Sequence, residues 1–293
     1  CSSAWVDIQN QLYPASQDIK FKTSKQDIEL FLNTIKSQAD IVDHVYMAGG
    51  EPLIQAEHYE ILKSIDELNR LDKVDFSYST NLTSMKYKSI NVMDYWNKIK
   101  SIKVLVSIDE VDADRLYYIR YPVKLDDIIT NLRILNDNFK SDLRRWAITP
   151  TWSIMNMHRI KEIVSFFKDN DLLPSAFYSA VEWENDLHNI ILLNPSHMSI
   201  SAASPEWKKY LRVKIDEYKQ WYLTEMIPLK LEKVRERASM LLLTHIERFH
   251  NALDDTVEVD SAIHTDWYNK LDKVRNTDFV KTFPELSWNL KSN

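Results

Sequence analysis

Glycine is scarce in this chain, which has two glycines in 293 residues. Average usage near 7% would supply about 20, so most turns must be built from residues such as Asn, Asp, Ser and Pro. The two glycines are adjacent, at Gly49 and Gly50. Glycine is required where φ is positive, or where the backbone must come closer to a neighbour than a Cβ permits. The pair therefore points to a special turn or to close approach of a ligand.

Cysteine is almost absent as well, because Cys1 is the one thiol of the chain. A single cysteine excludes internal disulfides. The eight histidines form no His-x-x-x-His pair and have no flanking cysteines, so they give no metal-site pattern. A chain that starts at Cys1 without a methionine is either processed or part of a longer reading frame, and we expect the second.

The chain also lacks a long apolar run and an excess of positive charge. No segment approaches the roughly 18 apolar residues of a membrane span, and no secretory signal precedes the first predicted element. The formal net charge is -6, which argues against nucleic acid as a partner because such proteins normally carry a basic surface. We therefore expect a cytoplasmic protein with no membrane attachment.

Strand and helix patterns alternate along the first two thirds of the chain. Strands that alternate with helices indicate an α/β fold with a parallel sheet or barrel. β-Branched and aromatic residues predict strands at 41–47, 74–81, 102–108, 146–152 and 176–181. Apolar residues at helical spacing predict helices at 28–35, 57–71, 125–135 and 160–167.

The character of the sequence changes near residue 195. Residues 205–249 are rich in Lys, Glu, Leu and Arg with helical apolar spacing. We therefore predict a barrel-like domain at 1–195 and a mainly helical region at 196–293. An apolar stripe there is expected to face the core, and it comprises Leu231, Val234, Ala238, Leu241 and Leu242.

The glycine pair lies between the first of these strands and the helix that follows it. Glu51 comes next, and Pro52 falls near the start of the helix, where its missing N–H costs nothing. This is where α/β proteins place their ligand groups. Exposed backbone carbonyls beside a carboxylate suit an ammonium better than a phosphate. The alternative is a tight strand-to-helix turn with an exposed Glu51.

Polar residues also follow the other predicted strands. Parallel strands present their carboxyl ends on one side of a sheet or barrel, so these side chains are candidates for the same ligand face. The alternative for each is that it only starts a turn or caps a helix. The set comprises Thr80, Asn81, Ser107, Asp109, Thr149, Thr151, Ser179 and Glu182.

The segment Tyr46-Met47-Ala48-Gly49-Gly50-Glu51-Pro52-Leu53 resembles the Gly-Gly-Glu-Pro motif of radical S-adenosylmethionine (SAM) enzymes. Residues 79–83 are similar to the family's third strand end, and residues 106–109 with 118–120 resemble its fourth strand and ribose-contacting turn. Residues 271–275 and 283–286 resemble the twitch-domain-containing subgroup. The resemblance implies a partial (β/α)6 TIM-like barrel with parallel strands, followed by a mainly helical C-terminal section. It implies SAM contacts from Gly49, Gly50, Glu51, Pro52, Thr80, Asn81, Ser107, Asp109 and Arg120.

The resemblance also implies a [4Fe-4S] cluster, held in this family by a Cys-x-x-x-Cys-x-x-Cys loop. Cys1 stands where the third cysteine of that loop is expected, ahead of Gly49. One thiolate cannot hold such a cluster, so we expect an N-terminally truncated chain that is inactive by itself. No further cysteine is present for an auxiliary cluster.

In intact form the implied activity is reductive cleavage of SAM and hydrogen abstraction from an unidentified peptide or small-molecule substrate. An electron donor such as flavodoxin or ferredoxin is the implied partner. Two alternatives stay open. One is a clusterless relative that binds a nucleotide or a partner protein, and the other is a different α/β-barrel enzyme that uses Glu51 and Asp109 as acid and base.

Overall fold

The computed structural model describes residues 25–38, 41–141, 143–180, 182–255 and 261–286. Its strands are β1 (His44–Met47), β2 (Asp75–Thr80), β3 (Lys86–Tyr87), β4 (Ile90–Asn91), β5 (Ser101–Val106), β6 (Arg144–Ile148), β7 (Thr151–Trp152) and β8 (Ile190–Ile191). Its α-helices are α1 (Lys25–Ser37), α2 (Ala56–Glu67), α3 (Met93–Trp96), α4 (Ala113–Ile119), α5 (Leu125–Asn138), α6 (Ile160–Asp169), α7 (Ser175–Ser179), α8 (Glu182–His188), α9 (Pro205–Trp221), α10 (Glu232–Asp254), α11 (Ser261–Arg275) and α12 (Phe279–Thr282).

The central sheet has four strands in the order β1-β2-β5-β6. The β1–β2 and β2–β5 pairs are parallel, with Met47 opposite Tyr78 and Thr80 opposite Val106. Helices flank this sheet, so the predicted α/β class with parallel strands is confirmed. The predicted segments at 41–47 and 74–81 contain β1 and β2, and the segment at 102–108 overlaps β5.

The described residues form two compact units. One lies within 1–106 and 126–146, and the other within 107–125 and 147–293. The boundary that the sequence predicts near residue 195 stays a prediction. Cys1 and its neighbours lie outside the described residues.

The core of the first unit is built on the sheet and the helices that cover it. Tyr78 on β2 contacts Trp96 at a ring-centroid distance of 5.0 Å, and Trp96 contacts Phe139 at 6.0 Å, both edge to face. Such aromatic pairs contribute about 0.5–1.5 kcal/mol beyond their buried area. Leu62 and Ile65 of α2 are buried, as the helical spacing of apolar residues predicts.

The core of the second unit is mainly helical. Helix α9 packs against α6 and α10, and Phe167, Ile215 and Phe249 are fully buried. None of the helices among the described residues combines the length and apolar character that a membrane crossing needs.

The structure corrects three of the sequence-based expectations. The predicted strand at 176–181 is wrong, because Ser175–Ser179 form helix α7. Pro174 precedes this helix, and the ammonium of Lys230 donates to the carbonyls of Phe177 and Ala180. A long-range contact therefore overrides the strand propensity of the segment, and Ser179 and Glu182 mark no strand end.

The predicted stripe on α10 is correct at its centre and wrong at its start. Ala238 and Leu242 are buried, whereas Leu231 is 49% exposed. The buried face continues instead through His245, Ile246 and Phe249. The predicted strand at 146–152 is also divided, since β6 ends at Ile148 and Thr149-Pro150 precede β7.

Candidate functional site

The Gly49-Gly50 turn follows β1 in the first unit. Both glycines have positive φ, 84° at Gly49 and 36° at Gly50, and both are exposed. A Cβ added at Gly49 would meet no atom within 4 Å. The backbone conformation, not crowding, therefore requires glycine here, and the peptide groups of the turn are open to a ligand.

Glu51 is buried beneath this turn, with 3% of its surface exposed. Its Oε1 accepts hydrogen bonds from the backbone N–H of Leu53 at 3.2 Å and the hydroxyl of Thr80 at 2.5 Å. Its Oε2 accepts from the backbone N–H of Asn81 at 2.7 Å. The alternative of a turn with an exposed Glu51 is therefore wrong. The carboxylate ties the turn after β1 to the end of β2, and it brings three predicted site residues together.

The segment after β2 is a turn without glycine. Leu82 has φ of 54°, and the hydroxyl of Thr80 accepts from its backbone N–H at 2.9 Å. The Oδ1 atom of Asn81 accepts from the N–H and the hydroxyl of Thr83 at 3.1 and 2.8 Å. Asn131 donates to the Leu82 carbonyl at 2.8 Å. Side-chain hydrogen bonds thus stabilise a conformation that other proteins often assign to glycine.

Neutral hydrogen-bonded rings lie under the same loop. The hydroxyl of Tyr59 donates to the carbonyl of Leu53 at 2.9 Å. Burial, and then the charge of Glu51, raises the pKa of Tyr59 to about 12. His58 contacts the hydroxyl of Tyr78 at 3.1 Å, and burial lowers the pKa of His58 to about 4. His58 and Tyr59 are therefore uncharged at neutral pH, and neither ring brings a positive charge to Glu51.

In the second unit, Asp109 makes a similar arrangement. Its Oδ1 accepts from the backbone N–H of Thr151 at 2.7 Å, and its Oδ2 forms an ion pair with the Nε of Arg120 at 2.6 Å. Asp109 is 5% exposed, whereas the Arg120 side chain is 23% exposed. Ser107 lies two residues before Asp109 and is partly exposed. The structure therefore groups Asp109 with Arg120 and Thr151.

Several residues around Asp109 escaped the sequence-based prediction. Asn156 donates to the carbonyl of Asp109 at 2.9 Å. Glu110 is fully buried and pairs with the Nε of Arg159 at 2.9 Å. Asn156 lies 47 residues after Asp109, and Arg159 lies 49 residues after Glu110. No local pattern marks such pairs, although Ser153 followed by Asn156 is a composition typical of side-chain-stabilised turns.

A separate buried ionic cluster lies elsewhere in the second unit. The ammonium of Lys230 pairs with Oε1 of Glu184 at 2.9 Å, and both side chains have zero exposure. Tyr222, in a π-helical turn (Tyr222–Met226), donates to the same oxygen at 3.1 Å. Burial raises the pKa of Glu184 and lowers that of Lys230, and the attraction between them opposes both shifts.

The donor set of this chain does not fit an iron–sulfur cluster by itself. Cys1, the predicted metal ligand, lies outside the described residues. Over those residues, no group of three or more His, Cys, Asp or Glu side chains is arranged to hold a metal ion. A [4Fe-4S] cluster needs several thiolates, and the whole sequence has one cysteine.

Comparison with known families identifies a superfamily that covers the glycine turn. The family model described as the Radical SAM superfamily matches residues 15–167, just over half of the 293 residues. The matched range includes the Gly49-Gly50 turn, Glu51 and Asp109. No curated protein matches the sequence.

Proposed function

The chain belongs to the radical SAM superfamily, and on that premise we propose that the Gly49-Gly50 turn binds the methionine ammonium of S-adenosylmethionine. The observation that carries this proposal is an exposed, side-chain-free turn fixed in place by a buried carboxylate. Backbone carbonyls of the turn are acceptors, and an ammonium has three donors to satisfy. Pro52 begins the short 3-10 helix (Pro52–Ile54) that follows, so its part is to shape the turn.

Glu51 supports this function mainly through position and charge. Three protein donors already occupy its two oxygens. Its negative charge still favours a cation near the turn, because charge acts over a longer range than a hydrogen bond. We therefore assign direct contacts to the glycine carbonyls, and to Glu51, Thr80 and Asn81 the task of holding the turn.

In the second unit, we propose that Asp109 and Arg120 contribute ribose contacts, with Ser107 as a further polar group. The Asp109 carboxylate is an acceptor for hydroxyl donors, and ionised groups make the stronger hydrogen bonds. A role for Glu51 or Asp109 as general acid or base requires access to substrate. Both carboxylates are at least 95% buried, and each accepts hydrogen bonds from protein donors. These contacts favour a role in ligand binding over a role as acid or base.

The cluster-dependent part of the activity requires ligands that this chain does not contain. We propose that further thiolates precede Cys1 in a longer reading frame, and that the intact protein is a cytoplasmic enzyme that reductively cleaves SAM. The electron donor, the substrate and membership of the twitch-domain subgroup stay predictions. The clusterless alternative predicts the same ligand binding without iron.

Calorimetric titration with SAM tests the binding proposal. We expect the chain to bind SAM, and Gly50→Val to weaken binding at least about tenfold, or 1.4 kcal/mol. Asn69 also has positive φ, 53°, at the end of α2. Asn69→Val is therefore a matched control that adds similar backbone strain and should leave the affinity unchanged. Equal affinity in wild type and Gly50→Val would remove the turn from the site.

Iron analysis separates the enzyme from its clusterless alternative. After anaerobic reconstitution, we expect this chain to retain no cluster and the protein extended upstream of Cys1 to retain about four irons. Ligand binding without iron in the extended protein would favour the clusterless relative. Stable iron binding by this chain alone would overturn the truncation hypothesis.

A further inference from the structure

A buried amide, Asn156, joins the segments that carry Asp109 and Thr151 in the second unit. Its Nδ2 donates to the carbonyl of Asp109 at 2.9 Å and to the carbonyl of Thr151 at 3.0 Å. Its Oδ1 accepts from the N–H and the hydroxyl of Ser153 at 2.7 and 3.2 Å. A side-chain amide offers two donor hydrogens and two acceptor sites, so all four are used. Asn156 has zero exposure.

These partners fix the orientation of the Asn156 amide. The reverse orientation would place its oxygen against the carbonyl oxygens of Asp109 and Thr151, and its NH₂ group against the N–H of Ser153. Donors would then face donors, and acceptors would face acceptors, around a side chain with zero exposure. The NH₂ end therefore points to the two carbonyls, and the network has one consistent arrangement.

Asp109 is consequently held from two sides. Its carboxylate accepts from the N–H of Thr151 at 2.7 Å, and its carbonyl accepts from Asn156. Thr151 is held in the same way, since its N–H meets Asp109 and its carbonyl meets Asn156. These three bonds link Asp109, Thr151 and Asn156 into a closed ring of contacts. Loss of the Asn156 donors would open this ring at both carbonyls.

The neighbouring ion pair has a separate task. Glu110 pairs with Arg159 and accepts from the N–H groups of Val111 and Asp112 at 2.8 and 3.2 Å. It thus fixes the segment that leads into α4. Asn156, by contrast, bonds to the carbonyls of both Asp109 and Thr151, so the alignment of these two residues depends on Asn156.

We propose that Asn156 is a positioning residue for the Asp109–Arg120 pair. It holds the Asp109 backbone so that the carboxylate can carry Arg120 on one oxygen and the Thr151 N–H on the other. This inference rests on the proposed function, because Asp109 and Arg120, not Asn156, are assigned to the ligand. Asn156 acts through Asp109.

Asn156→Asp is the sharpest variant. It preserves size but replaces both donor hydrogens with an acceptor that faces two carbonyl oxygens. Ser201→Ala is the matched control, because Ser201 is also buried in this unit and donates to the carbonyl of Ala252 at 2.8 Å. If Asn156→Asp does not fold, the same measurements are made on Asn156→Ala, which also removes both donors.

The first measurement is amide hydrogen exchange at Thr151, which requires no ligand. We expect exchange to be about tenfold faster in Asn156→Asp and unchanged in Ser201→Ala, because only the first change opens the ring around Asp109. Unchanged exchange at Thr151 in Asn156→Asp would overturn the positioning role, whatever the protein binds.

The second measurement is a double-mutant cycle on SAM affinity with Asp109→Asn. If Asn156 acts through Asp109, each single variant should weaken binding about tenfold and the double variant should be little worse than either. Strictly additive losses would overturn action through Asp109. If wild type binds no SAM while Asn156→Asp still accelerates exchange at Thr151, the proposed function fails, and with it the role of Asn156 in binding.

Discussion

The Oε2 atom of Glu51 accepts a hydrogen bond from the backbone N–H of Asn81 at 2.7 Å, and the two residues are 30 positions apart in the sequence. The Oδ1 atom of Asp109 accepts a hydrogen bond from the backbone N–H of Thr151 at the same distance, and these residues are 42 positions apart. In each case an acidic residue just after one strand of the sheet binds the backbone just after the next strand in the sheet order. Each unit therefore uses a buried carboxylate to fix a polar loop.

We expect Glu51→Gln to lower the free energy of unfolding by about 1–3 kcal/mol, because one of its oxygens becomes an NH₂ group and leaves a buried donor unpaired. Equilibrium unfolding in urea measures this change. Glu57→Gln is the matched control, since Glu57 is exposed in the first turn of α2, and it should change stability little. Equal effects of the two variants would contradict the role of Glu51 in tying the loops.

Gly49→Ala tests the backbone conformation of the turn. The new Cβ meets no neighbouring atom, so the expected cost is that of positive φ alone, about 1–2 kcal/mol. Thermal or urea unfolding measures it. A larger loss would show crowding that the structure does not contain. If SAM affinity falls further than stability explains, the Cβ would be meeting the ligand.

The sequence predicts the parts of the fold that depend on local pattern. Strands β1, β2 and β5 and helices α1, α2, α5 and α6 lie where alternation or helical spacing places them. The Gly49-Gly50 turn was also predictable, because positive φ has a strong residue preference. Its use as a SAM site stays a proposal.

The failures involve contacts between residues far apart in the chain. Residues 176–181 have the composition of a strand, but Lys230, 53 residues after Phe177, bonds to the carbonyls at the end of α7. Asn156 and the Glu110–Arg159 pair were missed for the same reason. A side chain that is satisfied by distant backbone leaves no periodic signal in a single sequence.

Lys230→Met should destabilise the second unit strongly. It leaves the carboxylate of Glu184 buried without its ion-pair partner, which costs about 3–5 kcal/mol. Replacing Glu184 as well, in Lys230→Met with Glu184→Leu, should recover part of the loss because no charge is then left unpaired. Urea unfolding of the single and double variants measures both effects.

The control for Lys230 is Lys168→Met. Lys168 pairs with Glu225 at 3.1 Å on the surface, with side-chain exposures of 28% and 53%. Exposed pairs contribute about 0–1 kcal/mol, so this variant should differ little from wild type. A loss for Lys230→Met as small as that of the control would contradict a stabilising buried pair.

The carboxylate of Glu285 should make stability depend on acid pH. It accepts two hydrogen bonds from Arg115, at 2.6 and 3.2 Å, and lies 3.0 Å from Nε2 of His158. Burial alone raises the pKa of Glu285, but the bonds from His158 and Arg115 outweigh it and lower the pKa to about 2. The folded state therefore binds this proton more weakly than the unfolded state does.

The sign of the effect follows from this difference. A carboxyl with a depressed pKa adds stability above its ordinary value of 4.5, and that stability is lost as the pH falls toward about 2. Glu285→Gln should thus be less stable than wild type at neutral pH, and the difference in the free energy of unfolding should become smaller as the pH falls through that acid range. Urea unfolding of both proteins at several pH values measures this difference, because contributions that both proteins share cancel.

Two further variants serve as comparisons. Arg115→Met should reproduce the loss of stability at neutral pH, whereas Arg212→Met, which breaks an exposed pair with Asp254, should not. If the stability difference between wild type and Glu285→Gln did not change with pH, Glu285 would contribute through packing and not through its charge.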